Sequence, residues 1–537
     1  MIQMIYKYGI DFGTTNSSIA MRFVGDDKEE HTLVVDVKNT LPRETIPSVV
    51  LFDGKGHIYA GIDALNRYIQ NGVNSNNLRY IKKIKLDLEK YGSRLEYQID
   101  GHKIQGVDLI AEILKALRLK AEKEAADLGL DMSGVVMGVP VQYGDIQKNV
   151  LKEALFKAGF YQSYEEAEER TEFVSEPIAV HYGLNLTHDT TVLVFDFGGG
   201  TLDLAIVNLK NQVSTDHLHP HQTISKERIT LGGEELTRLF FINSFCSNKK
   251  YGTKRICGEF GFNKNLTPEC EDGIRFVEEL EKCKCDLSKA SKYRFSFIGP
   301  NIQLEEKIFY RDDFTAAIES KLDEIDELID TCLENGNITD PFDIDHVILA
   351  GGSSMIPAVQ NLLVDKFGRN RVSSKMTTPD TFIKDIKKNL ANESEVLTSI
   401  VRGLAIVGCK DQELIDDLVD SDYGVWDSVA NDFIPVIYKG TPVKKTVLDR
   451  ISKQGTFEEV ECIDKDASTV EVRVFQRNLT GEHRLGTINI PNPGGKKYRI
   501  YMQVDKKKGT LEVTIYDTIK QRWIDEIPLN ERQYVLN

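Results

Sequence analysis

The stretch that decides the fold is the N-terminal "YGIDFGTTNSSIAM", Tyr8–Met21. It reads as an apolar strand, an Asp-Phe-Gly-Thr-Thr tip and a second apolar strand, which is the pattern of a β-hairpin. A tight turn needs glycine and a small polar residue, but it does not need two adjacent threonines. The hydroxyls and the glycine at this tip therefore indicate a site for a ligand that carries oxygen atoms.

The same pattern recurs later in the chain as "LVFDFGGGTLDLAIV", Leu193–Val207. Both copies consist of a strand, Asp-Phe-Gly, a tip of small or hydroxyl-bearing residues and a second strand. Asp11 and Asp196 occupy equivalent positions that are 185 residues apart (196 minus 11). This spacing predicts that a whole lobe is duplicated, so that two tips close on one ligand from opposite sides.

Alternating strand and helix patterns dominate residues 1–409, and they predict an α/β architecture. The segment 410–422 is acidic with interspersed Leu, Ile and Val, and we expect it to be a linker. Residues 423–537 are rich in strand patterns and include a hairpin signal at 506–509, which predicts an all-β domain. The clearest strands are expected at 135–139, 191–195 and 346–349, and the clearest helices at 107–127, 143–158, 312–335 and 357–367.

The composition is that of a soluble globular protein, with 41% hydrophobic and 28% charged residues in 537. The net charge of -16 argues against a nucleic acid or an anionic membrane as partner, since both attract basic surfaces. We find no pattern of a signal peptide and no run of about 18 apolar residues. The 8 cysteines are scattered, as is typical of a reducing compartment. We therefore expect a cytoplasmic protein.

The two tips have the composition of a phosphate site. Backbone N–H groups around glycine approach an anion closely, and Thr14, Thr15 and Thr201 add hydroxyl donors. Asp11 and Asp196 repel phosphate, but they suit a hydrated Mg²⁺ that bridges phosphate oxygens. One copy alone is equally compatible with a tight turn that an aspartate caps, whereas the pair favours phosphate and metal.

A third motif is "DHVILAGGSSMIPAVQNLL", Asp345–Leu363, which reads as a strand, Gly-Gly-Ser-Ser and a helix. Gly351 and Gly352 let the chain pass close beneath a flat ligand or a phosphate, and a helix N-terminus follows. The pattern of a P-loop is absent, so a P-loop enzyme is not predicted.

The three motifs in this order resemble the actin-like (ribonuclease-H-like) ATPase superfamily and, within it, the 70-kDa heat-shock chaperones of the DnaK type. The resemblance continues in the segments "IKKIKLDL", "VVMGVPVQYGDIQKNV", "VSEPIAVHYG", "ITLGGEEL" and "LEKCKCDLSKA". It extends through the linker and the β domain, which sugar kinases and actins lack. It implies a two-lobed ATPase domain at 1–409 and a peptide-binding β-sandwich at 423–537 that lacks the family's helical lid.

The resemblance also implies roles for residues at matching positions. Lys82 would reach the γ-phosphate and the attacking water, although Lys83 and Lys85 leave this register open. Glu176 would sit at the metal and sense the nucleotide, with Pro140 as relay to the second domain. The residues expected around the Mg²⁺ and the phosphates of ATP or ADP are Asp11, Gly13, Thr14, Thr15, Asp196, Gly198, Gly199, Gly200, Thr201, Gly232 and Gly233. Those expected on the adenosine side are Glu281, Lys284, Cys285, Ser288, Gly351, Gly352, Ser353 and Met355.

Within this set, Asp11, Asp196 and Thr201 are expected to take part in catalysis together with Lys82 and Glu176, and the two aspartates would hold Mg²⁺ through water.

Three positions depart from the family. Its members normally flank the adenine with two arginines, but Cys285 and Met355 occupy these positions here. Loss of the cation–π contribution, about 0.5–2 kcal/mol per arginine, predicts weaker ATP binding or relaxed base preference. Lys148 replaces a relay arginine, which predicts altered coupling between the domains.

The resemblance implies that the β domain grips extended apolar peptide segments. Its candidate groove residues are Val429, Phe433, Ile434 and Val436, although the strand alternation is also compatible with places in the core. The resemblance further implies a J-domain co-chaperone and a nucleotide exchange factor as partners.

We therefore expect an ATP-dependent chaperone in which ATP binding and hydrolysis switch the affinity of the β domain for unfolded segments. The alternative is a weakly hydrolysing nucleotide switch that regulates or scaffolds one dedicated partner. The missing arginines and lid favour this alternative. A small-molecule kinase is disfavoured, because the all-β domain has no role in it.

Overall fold

The structure is a computed structural model. It describes residues 6–24, 30–37, 44–53, 56–71, 79–99, 101–140, 143–180, 189–209, 221–246, 262, 271–299, 302–373, 393–408, 415–416, 418–419, 421–427, 432–449, 452–461, 469–478, 481–491, 497–504 and 511–524. Val429 and the hairpin turn expected at 506–509 lie outside the described residues.

In chain order, the α-helices of these described ranges are α1 (Gly61–Asn71), α2 (Ile84–Tyr91), α3 (Gly106–Asp127), α4 (Asp145–Lys157), α5 (Tyr164–Arg170), α6 (Glu176–Ala179), α7 (Gly233–Phe241), α8 (Glu271–Lys289), α9 (Arg311–Asn335), α10 (Pro357–Phe367) and α11 (Glu393–Val407). The strands up to the third motif are β1 (Tyr6–Phe12), β2 (Asn16–Val24), β3 (Glu30–Val34), β4 (Ile46–Pro47), β5 (Val50–Phe52), β6 (Ile58–Ala60), β7 (Arg79–Ile81), β8 (Glu96–Ile99), β9 (His102–Gln105), β10 (Met132–Val139), β11 (Thr171–Ser175), β12 (Thr190–Phe197), β13 (Leu202–Leu209), β14 (His221–Ile229), β15 (Lys292–Ile298), β16 (Gln303–Tyr310) and β17 (His346–Ala350). The later strands are β18 (Val372–Ser373), β19 (Ile415–Asp416), β20 (Asp422–Asp427), β21 (Asp432–Ile437), β22 (Thr456–Glu461), β23 (Thr469–Asn478), β24 (Gly481–Pro491), β25 (Lys497–Val504), β26 (Leu511–Asp517) and β27 (Arg522–Ile524).

The strands and helices predicted in residues 1–409 are confirmed, and this part of the chain is α/β. Their ends differ from the predicted ends by at most 3 residues, the largest difference being the start of β10 at Met132. No helix of the described ranges is both long and apolar enough to cross a membrane.

Two mixed sheets form the framework of this α/β part. The first has the order β11-β10-β1-β2-β3, and the second has the order β18-β17-β12-β13-β14, with β19 beyond β14. In each sheet the repeated hairpin, β1–β2 or β12–β13, is antiparallel. Two parallel strands follow on one side of each hairpin. The internal repeat of the sequence is therefore also present in the order and direction of the strands.

Each of these sheets has its own apolar core. Helix α3 buries Leu114, Leu117 and Ala121 in the first core, because residues three and four apart share one face of a helix. The second core is rich in phenylalanine, and the rings of Phe245 and Phe276 meet edge to face with centroids 5.0 Å apart. Edge-to-face packing is a favourable geometry for aromatic rings, so this pair stabilises the second core.

Helix α11 packs between the two sheets. Its Leu404 and Val407 are buried together with Val136 of β10 and Val192 of β12. The helix comes so close to β1 that a Cβ at Gly9 would lie 2.5 Å from a backbone nitrogen of the helix. The glycine at this position therefore permits the backbone approach that joins the sheets.

After residue 421 the described chain is built of strands, as the sequence predicts. The sheets β21-β20-β23-β24 and β22-β25-β26-β27 are antiparallel and share one apolar core. Along β23, Val472 and Val474 are buried while Glu471 and Arg473 are exposed, as period-two alternation requires. In the first of these sheets, the rings of Trp426 on β20 and Phe475 on β23 lie 5.2 Å apart.

Part of the predicted linker is a strand rather than free chain. Ile415–Asp416, which is β19, pairs in parallel with His221–Gln222 of β14. The ammonium of Lys226, also on β14, donates a hydrogen bond of 3.1 Å to the carbonyl of Leu418. The chain that leads to the C-terminal sheets is thus attached to the second α/β sheet.

Candidate functional site

The two repeated tips face each other at the ends of β1 and β12. A Cβ added at Gly199 would lie 1.8 Å from Oγ1 of Thr15, and one at Gly200 would lie 2.7 Å from Cγ2 of Thr14. The threonine tip and the glycine tip are therefore in contact, and any side chain at these two positions would require a threonine to move. The structure brings together the two motifs that the sequence predicts to converge on one ligand.

The Gly-Gly turn before α7 packs against the glycine tip. A Cβ at Gly232 would lie 2.3 Å from backbone atoms of Gly199. The N–H of Gly233 donates a hydrogen bond of 3.0 Å to the carbonyl of Gly198. These contacts place the turn where its backbone continues the surface that the tip offers to an anion.

The Gly-Gly-Ser-Ser segment closes the same surface from the third motif. Gly351 has a φ of 71°, and a Cβ there would lie 2.5 Å from the backbone of Phe197. The hydroxyl of Ser353 donates a hydrogen bond of 2.8 Å to the carbonyl of Gly198. Gly352 is exposed and Met355 is partly exposed, so both face outward from this contact.

Residues on α8 reach this segment from the other side. The ammonium of Lys284 donates a hydrogen bond of 2.8 Å to the carbonyl of Gly233 and pairs with Glu281 at 2.8 Å. Ser288 donates to the carbonyl of Lys284, so its hydroxyl is bonded within the helix. Cys285 is exposed on the same helix. The residues expected on the adenosine side therefore lie on two neighbouring elements, α8 and the segment before α10.

Four acidic side chains gather between the tips. Asp11 lies one residue before the end of β1, Glu176 opens α6, and Asp196 lies directly opposite Asp203 across the β12–β13 hairpin. Glu176 is 3% exposed, Asp196 6% and Asp203 1%. Buried cations lie beside them: the ammonium of Lys85 lies 2.5 Å from Oε1 of Glu176, and Nε of Arg228 lies 3.3 Å from Oδ1 of Asp203. The site thus concentrates negative charge away from water.

The surroundings shift the pKa values of these groups. Burial raises the pKa of Asp11, and burial together with the carboxylates of Glu176 and Asp203 raises the pKa of Asp196 well above its usual range. Burial likewise raises the pKa of Glu176 to about 7, although the ammonium of Lys85 opposes this shift. Burial disfavours the charge of Lys85, but the carboxylates of Glu176 and Asp11 outweigh it, so its pKa is raised and it is charged at neutral pH.

Lys82, the lysine that the family resemblance selects, is not with these carboxylates. Its ammonium forms an ion pair with Glu278 of α8. Lys83 pairs with Glu234 at 2.7 Å. Helix α2 begins after these two residues, and Lys85 in its first turn is the lysine that enters the acidic cluster. Of these three lysines, Lys85 is therefore the one whose ammonium lies with the acidic cluster.

The candidate groove residues are packed rather than exposed. Phe433 is 4% and Val436 6% exposed, and Val436 belongs to the C-terminal core. Ile434 is partly buried against the same core. The guanidinium of Arg477 covers the ring of Phe433 at 4.3 Å from its centroid. In this conformation Ile434 and Val436 occupy the core positions that the strand alternation also allowed, and Phe433 is buried beneath Arg477. A peptide would not reach Phe433 or Val436.

A continuous set of contacts leads from the acidic cluster to the C-terminal sheets. The Tyr143 hydroxyl donates a hydrogen bond of 2.9 Å to the backbone carbonyl of Lys85. Two residues later, the carboxylate of Asp145 accepts a hydrogen bond of 2.9 Å from the backbone N–H of Leu511 on β26. Ile146 packs against the C-terminal core. Helix α2, the start of α4 and the C-terminal sheets are therefore in direct contact.

Asp203 was not identified from the sequence, although a signal was present. In an antiparallel hairpin, residues on the same pair lie on the same face, so the partner of Asp196 is fixed once the length of the tip is known. The observed register pairs Asp196 with Asp203 and Phe197 with Leu202. The acidic cluster could thus have been extended by counting across the tip.

The chain is similar in sequence to known proteins. The family model described as "Hsp70 protein" matches residues 7–384. The chain is 27% identical over 503 residues to the chaperone protein DnaK of Thermosipho melanesiensis, covering 90% of this chain and 72% of that protein. It is 28% identical over 499 residues to the chaperone protein DnaK of Thermotoga maritima, again covering 90% and 72%. With most of its length matched by the family model, the chain belongs to the Hsp70 family.

Proposed function

We propose that the protein is an ATP-dependent molecular chaperone. A two-lobed, actin-like domain at 1–409 binds and hydrolyses ATP, and it controls partner binding by a β-sandwich at 423–537 through the linker 410–422. The observation that carries the proposal is the contact of the threonine and glycine tips beside a buried acidic cluster with one charged lysine. This arrangement suits a triphosphate and its metal.

The residues present fit a hydrated Mg²⁺. Asp11 and Asp196 are buried carboxylates at the bases of the two tips. Burial raises the pKa of both, the carboxylates of Glu176 and Asp203 raise that of Asp196 further, and a cation held nearby would favour their charged forms. Among the described residues, no three His, Cys, Asp or Glu side chains form a direct metal-binding group. Asp11 and Asp196 would therefore hold the ion through water molecules, while phosphate oxygens supply the other ligands. When bound, the ion would neutralise charge on the phosphates.

The side chains around the cluster supply the rest of the chemistry. Backbone N–H groups of the two tips and the hydroxyl of Thr201 would hold the phosphates. The ammonium of Lys85 would stabilise the negative charge on the γ-phosphoryl group as its bond to the β-phosphate oxygen breaks and water adds. Glu176, with a pKa of about 7, is suited to accept a proton from that water at neutral pH.

Coupling to partner binding is supported by the contacts that leave the site. Lys85 connects through Tyr143 to Asp145, whose carboxylate accepts a hydrogen bond from Leu511. A change in the position of Lys85 would alter the contact between Asp145 and Leu511, because the contacts that connect Lys85 to Asp145 are buried and direct. Partners would be extended apolar segments, a J-domain co-chaperone and an exchange factor, in the cytoplasm.

The base end of the site gives the second candidate function. Cys285 and Met355 offer no guanidinium to an adenine ring, so a nucleotide switch with weak hydrolysis stays a specific alternative. Replacing both by arginine is expected to tighten ATP binding by about twofold to 30-fold per arginine, which corresponds to 0.5–2 kcal/mol. Calorimetry with ATP and GTP measures this change, and unaltered affinity would contradict the assignment of the base pocket.

The experiment that tests the function is single-turnover hydrolysis by the full chain, with and without an apolar peptide. Turnover that the peptide stimulates supports the chaperone, and tight nucleotide binding without turnover supports the switch. Asp11→Ala and Thr201→Ala are expected to abolish hydrolysis, because they remove a metal-site carboxylate and a phosphate-site hydroxyl. Undiminished turnover in both variants would refute the site.

A further inference from the structure

Three residues on neighbouring strands form a row across the second sheet. Asp196 on β12 is the cross-strand partner of Asp203 on β13, which is in turn the partner of Arg228 on β14. Partners of this kind project from the same face of a sheet. The Nε atom of Arg228 lies 3.3 Å from Oδ1 of Asp203, and the two side chains are 2% and 1% exposed. The acidic cluster therefore ends on a buried arginine.

Arg228 also binds an acidic residue on a helix that packs into the first core. Its Nη2 atom donates a hydrogen bond of 2.6 Å to Oε2 of Glu89. Glu89 lies on α2, four residues after Lys85, and so on the same side of the helix. The neighbouring residues Ile84 and Leu88 of α2 are buried in the first core. Arg228 thus ties the helix that carries Lys85 to the sheet that carries Asp196.

The charges explain why a cation is required at this position. Asp203 is a buried carboxylate and Glu89 is partly buried, with 13% of its side chain exposed, and burying a carboxylate without a partner is strongly unfavourable. Burial also disfavours the charge of Arg228, but these two carboxylates outweigh it and raise the pKa of the guanidinium. The planar guanidinium reaches both carboxylates at once, which the single ammonium of a lysine would not.

We propose that Arg228 is a positioning residue for the nucleotide site, which fixes Lys85 beside Glu176 by tying α2 to Asp203. The inference rests on the proposed function for its effect on hydrolysis, but the placement of Lys85 is measurable without nucleotide. Arg228 contacts Glu89 and Asp203 rather than the two tips. Its loss is therefore expected to change the chemical step more than nucleotide affinity.

The placement of Lys85 is tested in the full chain by acylation of lysines with an amine-reactive reagent, followed by peptide mass spectrometry. In Arg228→Gln, Lys85 is expected to react about tenfold faster than in the wild type, because opening of the buried site becomes easier. Lys284 is the internal reference, since it is 6% exposed and bonded elsewhere, and its rate is expected to stay unchanged. An equal increase at both lysines would mean general loosening and would overturn the proposal, as would no increase at either.

Two further variants isolate the contact. Glu89→Gln keeps the pair between Arg228 and Asp203 but weakens the contact of Arg228 with α2. In the double variant Glu89→Gln with Arg228→Gln, Lys85 is expected to be acylated no faster than in Arg228→Gln alone. Additive effects would show that the two residues act separately and would overturn the inference. If Arg228→Gln does not fold, Glu89→Gln alone tests the inference through the acylation rate of Lys85. Arg238→Gln is the matched control, since it removes an arginine whose pair with Glu235 is exposed. In this variant the acylation rates of Lys85 and Lys284 should both stay unchanged.

Hydrolysis separates this inference from the proposed function. In Arg228→Gln the single-turnover rate is expected to fall about 10-fold to 100-fold, as for a small misplacement of a reacting group, with ADP affinity within threefold of wild type. An unchanged rate in the variant, beside an active wild type, would overturn the role of Arg228 in hydrolysis. A wild type that binds ADP without hydrolysing ATP would refute the proposed ATPase, and the acylation rates would still decide the placement of Lys85.

Discussion

Replacing Lys85 by methionine is the most direct test of the site. The change removes a buried ammonium that lies 2.5 Å from Glu176 while keeping an unbranched apolar side chain. A unit charge about 4 Å from the charge that develops on the phosphoryl group contributes about 4 kcal/mol at an effective dielectric constant near 20. Part of this is offset by the cost of burying the ammonium. We expect the hydrolysis rate to fall about 100-fold to 1,000-fold, as it does when one preorganised donor is removed from other enzymes.

Lys82→Met is the matched control, because the family resemblance selects Lys82 and the geometry selects Lys85. The pair between Lys82 and Glu278 has side chains that are 35% and 43% exposed. Exposed pairs contribute about 0–1 kcal/mol, so this variant is expected to lose less than about fivefold in rate. Lys85→Arg keeps the positive charge and should recover part of the activity.

The assay is release of phosphate in a single turnover, with protein in excess of Mg²⁺-ATP, for the wild type and the three variants. Calorimetric titration with ADP shows whether each variant still binds nucleotide, so that loss of binding is not mistaken for loss of chemistry. A larger loss in Lys82→Met than in Lys85→Met would refute the assignment of Lys85. It would instead mean that Lys82 leaves Glu278 when ATP binds.

Three other predictions concern pH, the glycine tip and the interface. Because the pKa of Glu176 is raised from 4.5 to about 7 in the folded chain, its contribution to the free energy of unfolding is full below pH 4.5 and is lost as the pH rises through 7. Without nucleotide this loss is about 3 kcal/mol, and urea unfolding at several pH values should show a flatter profile in Glu176→Gln. Gly199→Ala should weaken ADP binding at least tenfold more than Gly198→Ala. The new Cβ at position 199 would meet a threonine oxygen at 1.8 Å, whereas the one at position 198 meets nothing nearer than 3.8 Å. Equal losses would contradict the close approach of the tips. Asp145→Ala should leave ADP affinity unchanged but speed proteolysis of the linker about tenfold, because a hydrogen bond of about 1–3 kcal/mol is lost at the interface; a linker that is cut no faster would show that this bond does not hold the C-terminal sheets.

The hairpins and the tips were predictable from the sequence because their signals are local. The strand pattern, Asp-Phe-Gly and the small tip residues stand together in one short segment, and the second copy confirms the first. The order of strands in the two sheets follows from the same repeat. The repeat also predicted that the two tips face one ligand, whereas their direct contact at Gly199 and Thr15 is seen only in the structure.

The remainder of the site depends on distant parts of the chain. Which lysine enters the cluster depends on where α2 begins, and that start is set by packing of Ile84 and Leu88 rather than by a capping side chain. Arg228 acquires its role only through pairing of β14 with β13, which no local pattern indicates. For Phe433 and Val436, alternation along a strand identifies two faces but does not say which face is covered.

Trp426, which lies against Phe475, allows the C-terminal sheets to be followed by intrinsic tryptophan fluorescence. Both tryptophans of the chain, Trp426 and Trp523, belong to the C-terminal sheets, so residues 1–409 contain none. Intrinsic emission excited at the indole band therefore comes from the C-terminal sheets alone, with no background from the tips or the acidic cluster. A shift of that emission when ADP is exchanged for ATP would show that the exchange changes the surroundings of tryptophans in the C-terminal sheets. The measurement needs no added label.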